Sequence, residues 1–584
     1  MNARACVLAA ALLALVGCAH SQTRLQSADE TDRDKEPEIK TIGDVTTVGN
    51  ADPIPVSGVG LVYGLEGTGG DAPAGSYRTL LEHQLQQQSI EHVRDVLASP
   101  DASMVLVSAL IPPGVHKGDP LDIEVTLPPQ SKTTSLRGGY LRECFLYNYE
   151  TTRNLAPNFQ GSNQLLLGHP YAKADGPLLV GFGEGDEQAK LRQGRIWGGG
   201  HSKIERPFYL IFNNDQQRAP VVQHAADRIN ETFHGPYRGS LSDIATAKTN
   251  AYLVLRIPQQ YKYNLPRYLR VVRLIPLRDL PPANSPYRRR LEEQLLDPAH
   301  TVTAALRLEA LGSESIPALK QGLASSHALV RFTSAEALAY LGSPACGEEL
   351  AALVEHQPML RAFSLTAMAS LDEAVSHVKL RELLSVPVAE TRYGAFRALR
   401  VLDDHDPAVK GDLLNNSFWL HHVAPDSTSL AHLSTSGRAE VVLFGQDAYL
   451  TPPFSFLAGE FTITASRDDN NCTISRLSVH HGTGRRQCSL KMDDVLRCLA
   501  DMGGMYPEVV ELVRQVGTFQ CVSCPIAFDA LPQAVSVYEL AKGATGTEEP
   551  SQTDQEIRKA QNDFGATPTL YEKTSTKSSK QVKS

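Results

Sequence analysis

The sequence predicts an α+β protein whose sheet-forming regions are interrupted by an all-α array of repeated helices. Three observations carry this. Up to residue 280, short alternating strands bounded by Gly and Pro turns surround single helices. At Leu280-Pro281-Pro282 the texture changes to a helical period that holds until about Pro407. From Ser436 the strand pattern returns. The 584 residues leave room for about three or four domains, each with its own core. The net charge of −9 is mild and no long basic stripe runs through the chain, which excludes nucleic acid as a principal partner.

At the N-terminus, Arg4 precedes the apolar run Ala5 to Val16. That run is too short to cross a bilayer and suits a signal-peptide core, so the chain is expected to be exported. It ends in Leu15-Val16-Gly17-Cys18, which resembles the lipobox of bacterial lipoproteins. Residues 1–18 then form a lipoprotein-type signal peptide, and Cys18 is the expected lipidation site. A simple secretory cut near Ala19 is the alternative. Ala19 after the Cys suits the outer membrane by the usual sorting rule for such lipoproteins. Residues 19–37 are polar and read as a flexible tether.

The folded N-terminal region is expected over 38–280. Its most unusual segment is SGVGLVYGLEGTGGD, Ser57 to Asp71, in which Gly58, Gly60, Gly64, Gly67, Gly69 and Gly70 crowd a strand-like run and its closing turn. Glycine weakens a strand unless backbone approaches closely or the chain must bend, so these residues imply a special local geometry. A phosphate loop is excluded: no Lys followed by Ser or Thr completes the motif, and the Gly58/Gly60 pair runs into more strand instead of a helix. A helix follows over Tyr77 to Gln88, then strands over Ser103 to Ile111 and Leu121 to Leu127, separated by the Pro112-Pro113-Gly114 turn. A second glycine motif, SLRGG, holds Gly138 and Gly139. GPLLVGF from Gly176, RIWGGGHSKIERPF from Arg195 and HAADRIN from His224 complete the series. Taken in order over residues 38 to 276, this series resembles the flagellar basal-body P-ring protein family.

Residues 288–410 carry an internal repeat. LVRFTSAEALAYLG at Leu329, MLRAFSLTAMASL at Met359 and ETRYGAFRALRVL at Glu390 share an Arg, a small residue in mid-helix and a Leu near the end. They resemble HEAT-type helical hairpins, with VTAALRLEALG at Val302 as a degenerate first copy. In such an array each hairpin buries its apolar face on its neighbours, and Arg331, Arg361 and Arg392 are expected to hydrogen-bond between repeats. The array is expected to be a peripheral insertion at an exposed loop between two halves of one pattern.

Residues 411–542 are expected to form the second half. SGRAEVVLFGQDAYLTPPFSFLAGEFTIT, Ser436 to Thr464, resembles a P-ring C-terminal segment, and Lys491 to Phe519 its closing pair of helices and short strand. Residues 543–584 are polar and read as a disordered tail. Seven cysteines remain beyond Cys18, five of them late: Cys472, Cys488, Cys498, Cys521 and Cys524. Cys521-Val-Ser-Cys524 has no second CxxC at metal-ligand spacing and follows the strand-like VGTFQ, so disulfide or buried thiols are favoured over metal or redox chemistry. His421-His422 and His480-His481 are poor co-ligands, since neighbours on a strand face opposite ways. No HExxH, GxSxG or kinase signature is present. The expectation is a non-enzyme with no metal or other cofactor.

The family resemblance implies a periplasmic ring of identical copies around the flagellar rod, next to peptidoglycan and the L-ring, acting as a bushing for rotation. A lipid at Cys18 would tether it to the outer membrane. The alternative is a periplasmic lipoprotein scaffold that reuses a P-ring-like fold and binds partner proteins through its repeats. The glycine motifs are expected to shape the ring-building fold.

Overall fold

A computed structural model describes residues 39–533, apart from 149, 152–164, 167–168, 182–186, 234–243, 279–280, 283 and 479–481, together with residues 568–571. Cys18, the signal segment, the tether and the His480-His481 pair lie outside the described residues.

Strand β1 (Thr46–Gly49) is followed by the long β2 (Ile54–Tyr63), helices α1 (Ser76–Gln87) and α2 (Val93–Ala98), and strands β3 (Ala102–Ile111), β4 (Pro120–Thr126) and β5 (Tyr140–Leu146). A two-residue pair, β6 (Glu150–Thr151) and β7 (Leu165–Leu166), precedes β8 (Ala172–Pro177), β9 (Leu179–Val180), α3 (Glu187–Leu191) and β10 (Gln193–Ser202). Six of these strands hydrogen-bond in the order β4-β3-β2-β5-β8-β10, and β10 pairs again with β4 from Gln193 opposite Thr126 to His201 opposite Pro120. The sheet therefore closes into an antiparallel barrel, with β9 alongside β10. Closure removes the free edges that an open sheet would present. Alternation sorts the side chains: Val56, Val62, Val105, Val107, Ile123 and Leu141 share the interior, whereas Val59, Leu61 and Met104 pack outward under Leu81, Leu85 and Leu97 of α1 and α2.

A second, smaller layer contains β11 (Phe208–Phe212), α4 (Ala219–Phe233), β12 (Ala245–Ala247), β13 (Tyr252–Leu255) and α5 (Leu265–Leu274). Its antiparallel sheet runs β1-β11-β13-β12. The Asn264 side chain caps α5 by accepting from Arg267 N at 3.3 Å, and Pro266 stands in the first turn where no intrahelical donor is needed.

Eight helices follow: α6 (Pro286–Leu296), α7 (Thr301–Ala310), α8 (Ile316–Gly322), α9 (Ala328–Tyr340), α10 (Gly347–His356), α11 (Arg361–Ser370), α12 (Ala374–Leu383) and α13 (Ala389–Leu402). Helices α7, α9, α11 and α13 pack in sequence as one row, while α6 and α8, then α10 and α12, pack in a second. Gly394 lets α13 approach closely, since a Cβ there would lie 2.6 Å from Leu365 Cδ1 and 2.8 Å from Pro532 Cγ. The repeated arginines bridge neighbours: Arg331 Nε donates to Glu349 at 2.7 Å, Arg361 Nη1 to Glu390 at 3.0 Å and Arg392 Nη1 to the Thr428 carbonyl at 2.8 Å.

The expectation of a peripheral insertion is corrected by the packing. One continuous core runs from Ile42, Phe208 and Leu269 through the array to Val442 and Phe444. The reason is that α5 and the sheet beyond α13 bury their apolar faces on the array, which has no independent surface toward either flank.

The C-terminal part comprises β14 (Gly411–Leu414), β15 (Phe418–Val423), β16 (Leu430–Leu433), β17 (Glu440–Phe444), β18 (Phe454–Ala458), β19 (Phe461–Ala465), β20 (Asn471–Ser478), β21 (Gly482–Ser489), α14 (Met492–Asp501), α15 (Tyr506–Thr518) and β22 (Ile526–Phe528). A mixed sheet, β14-β15-β17-β16-β22, and an antiparallel sheet, β18-β19-β20-β21, share a core with α14 and α15. Two readings need correction. The VGTFQ segment is the end of α15, because Val509, Val513 and Val516 fall on one buried helical face and the chain leaves the helix where Gln520 takes φ 53°. In the tail, residues 568–571 are packed: Leu570 and Tyr571 are buried, and the Tyr571 hydroxyl donates to the Gly394 carbonyl at 2.7 Å. Two large side chains, Leu570 and Tyr571, supply this burial.

Candidate functional site

The glycine motifs meet at one end of β2. Gly58 and Gly60 project into the barrel where β2 crosses β5: a Cβ on Gly58 would lie 2.4 Å from the Phe145 carbonyl oxygen, and one on Gly60 2.8 Å from Leu141 Cδ1. Gly64 (φ 81°) and Gly138 (φ 73°) turn the chain in the left-handed region, each facing the other's carbonyl oxygen. Gly69 lies against the carbonyls of Pro100 and Ala102, Gly70 against Lys132, and Gly139 against Val62, while Gly67 sits in open space. Thr68 stitches the two loops, its hydroxyl lying 2.7 Å from the Leu65 carbonyl and 2.9 Å from that of Ser135. The closest atoms are backbone carbonyl oxygens at Gly58 and Gly69 and side-chain carbons at Gly60 and Gly139, so in each case the absent Cβ makes room for a neighbour.

Two buried charge clusters bound the helical array. On its N-terminal side, Arg267 of α5 reaches Glu309 of α7 and Glu336 of α9, both at 2.5 Å. Tyr261 donates to the second oxygen of Glu309 at 2.7 Å and stacks on Tyr340 with centroids 4.7 Å apart. The Arg267 guanidinium also lies over the Tyr340 ring at 4.8 Å. Burial pushes both glutamates above the ordinary carboxylate range, and Arg267 opposes it. Burial alone would weaken the charge on Arg267, but Glu309 and Glu336 outweigh it and hold the guanidinium protonated.

On the C-terminal side the centre is Glu440, the first residue of β17. It pairs with Arg400 of α13, accepts from the Tyr393 hydroxyl at 2.8 Å and lies 3.9 Å from His421 Nε2. Burial pushes the Glu440 pKa up, yet Arg400, His421 and Tyr393 together bring it below the usual value. His432 stacks on Tyr393 at 3.5 Å, and its Nε2 accepts the Ala530 N–H at 3.1 Å. Burial pushes His432 down to about 3 and also lowers His421. His421 and His422 take separate carbonyl partners, Val409 and Gly445, as their opposite facing requires. In both clusters the buried carboxylates are paired with protein donors, while His421 Nε2 and His432 Nδ1 are buried without a hydrogen-bond partner.

A third, exposed link joins barrel to C-terminal part: Arg137 of the SLRGG loop pairs with Glu511 of α15 at 2.5 Å. Leu179 and Trp197 of the barrel pack into the C-terminal core beside it. Among the described residues, one group of metal-type ligand atoms lies within 4.8 Å, Asp403, Asp404 and His405, and it is exposed.

Sequence reading found the glycines and missed both charge clusters. Their members are separated by tens of residues, and no motif links them. The one available signal was a Glu in an otherwise apolar helix, as in LRLEALG and SAEALAYLG.

Residues 41–283 match the family model of the flagellar P-ring protein. Flagellar P-ring protein 1 of Cereibacter sphaeroides is 29% identical over 228 residues, 37% of this chain and 54% of that protein. The flagellar P-ring protein of Aliivibrio fischeri is 30% identical over 222 residues, 36% of this chain and 54% of the relative. That of Oleidesulfovibrio alaskensis is 28% identical over 238 residues, 38% of this chain and 57% of the relative. The chain thus spans about half the length of the curated relatives it matches. The matched segment takes in the barrel, the second layer and α5, and stops ahead of the helical array.

Proposed function

Because residues 41–283 match the family model of the flagellar P-ring protein, we propose that the protein is a structural component of a flagellar basal-body P-ring. In this reading identical copies close into a periplasmic ring around the rod, beside peptidoglycan and the L-ring, and serve as a bushing that supports motility. The array is a HEAT-like set of repeats, residues 411–542 are the second P-ring half, and Cys18 carries a lipid that tethers the ring to the outer membrane. Ring closure needs heterologous contacts repeated at a fixed angle, so a subunit must resist bending at its internal junctions. The observation that carries the reading is the family match over a barrel whose glycines permit its tight backbone crossings.

A second reading is a lipoprotein scaffold that uses the same fold to hold partner proteins on the array. It is favoured by the array's continuity with both flanking cores, which makes the repeats part of the body. Basal bodies purified from cells carrying the protein separate the two. The ring reading expects the chain in them and loss of swimming on deletion; absence from basal bodies together with normal swimming rejects it. Mass spectrometry of the mature N-terminus tests the Cys18 lipid, a free or non-acylated start rejecting it.

A further inference from the structure

Three thiols meet where β20, β21 and α14 converge. Cys472 of β20 stands directly opposite Cys488 of β21 in the strand register, with the sulfurs 3.2 Å apart. Cys498 of α14 is a near neighbour of both, within hydrogen-bonding reach of Cys488. Strand β21 is the outer strand of its sheet, and Gly482 to Gln487 on it are exposed. A strand with so little apolar surface to bury has a weakly specified register. Something other than packing must hold it.

We propose that Cys472 and Cys488 form a disulfide that staples the β20–β21 hairpin, leaving Cys498 as a free thiol. The proposal rests on the exported reading of the chain, which supplies an oxidising compartment. The reaction is thiol–disulfide exchange with an oxidant of the protein-disulfide class. The thiolate of Cys488, the more accessible of the two, attacks one sulfur of that disulfide and expels a thiolate; the buried Cys472 thiolate then attacks Cys488 Sγ in the mixed disulfide and expels the second. Two thiol protons leave, one S–S bond forms in the hairpin, and the oxidant's S–S bond is reduced to two thiols. Exposure sets this order, since Cys472 is fully buried and Cys488 only half-buried. Cys144, Cys346 and Cys524 are each buried, with burial pushing their thiols up, and have no sulfur opposite them in a strand register.

The sequence makes the test direct, since Arg467, Arg476, Arg486, Lys491 and Arg497 place each of the three cysteines on its own tryptic peptide. Full-length protein is taken from the cell envelope, its free thiols are blocked with iodoacetamide at lysis, and it is digested without reductant. The expected species is peptide 468–476 joined to 487–491, two hydrogens lighter than the sum, with peptide 498–514 alkylated; Cys472→Ser removes it. A 488–498 link overturns the pairing. A second sample is first incubated with oxidised glutathione. Thiols alkylated in cells but linked 472–488 after that incubation support the pairing and count against export; thiols alkylated in both samples overturn the proposal.

Discussion

The two buried joints of the helical array differ in what they place around a charge. The N-terminal joint is built from helices alone, with Arg267 held between two glutamates and two stacked tyrosines. The C-terminal joint crosses from helix to sheet and surrounds one glutamate with Arg400, Tyr393 and His421, with His432 stacked behind. Both fix a junction by saturating a buried carboxylate, so breaking either leaves an uncompensated charge. Only the second contains histidines, and mild acid should therefore loosen one side of the array before the other. The lesson is that equal rigidity at neutral pH conceals unequal responses to protons.

The largest expected effect tests the first joint. Arg267→Met should cost about 3–5 kcal/mol of stability in chemical denaturation, because Glu309 and Glu336 lose their shared cation while buried. Adding Glu309→Gln and Glu336→Gln to that variant should recover much of the loss; no recovery would mean that packing dominates the joint.

The second joint is tested by acid. His432 has its pKa lowered from 6.5 to about 3, so the unfolded chain takes up its proton first and stability falls as pH drops below 6.5. Between pH 7 and pH 5 this amounts to about 2 kcal/mol. His432→Asn should flatten that slope in urea melts. Glu309 and Glu336, with raised pKa values, act in the opposite sense, since the folded state binds their protons more tightly than the unfolded chain does. A slope unchanged by the substitution would remove the contrast between the joints.

A control away from both joints is Gly58→Ala. Its new methyl meets the Phe145 carbonyl at 2.4 Å, and the strands must part, at about 1–3 kcal/mol. A thermal melt unchanged by this substitution would show that the barrel crossing is pliable. The smallest effect is expected at the exposed Arg137–Glu511 pair, where Arg137→Ala should cost at most about 1 kcal/mol and less in high salt. A larger loss would promote this link to a third joint.

Much of this frame was readable in the sequence, for reasons that differ by element. The array announced itself because helical periodicity and a repeated Arg–small–Leu spacing are local signals, and α9, α11 and α13 fall on the quoted segments. The alternation in Ser103 to Ile111 and Leu121 to Leu127 likewise marked β3 and β4. The glycines signalled close backbone contact, but not that Gly58 faces Phe145, a partner fixed only when the barrel closes. The joints were invisible because Arg267 finds Glu309 and Glu336 through tertiary packing, and Glu440 finds Arg400 across the turn from helix to sheet. VGTFQ misled because its β-branched residues favour strand locally, while the buried face of α15 decided otherwise.

Tyr571 has a practical meaning for anyone handling this chain. Its ring is buried and its hydroxyl is tied to Gly394 in the middle of α13, while the Thr569 amide reaches the Tyr263 carbonyl just ahead of α5. A stop codon placed after Gln533, five residues beyond the last strand, looks harmless in the sequence and would in fact excise a keystone from between the two junctions. Expression boundaries should be drawn beyond residue 571, and a protease that trims the polar stretch after Gln533 would act on the interior of the protein from a distance.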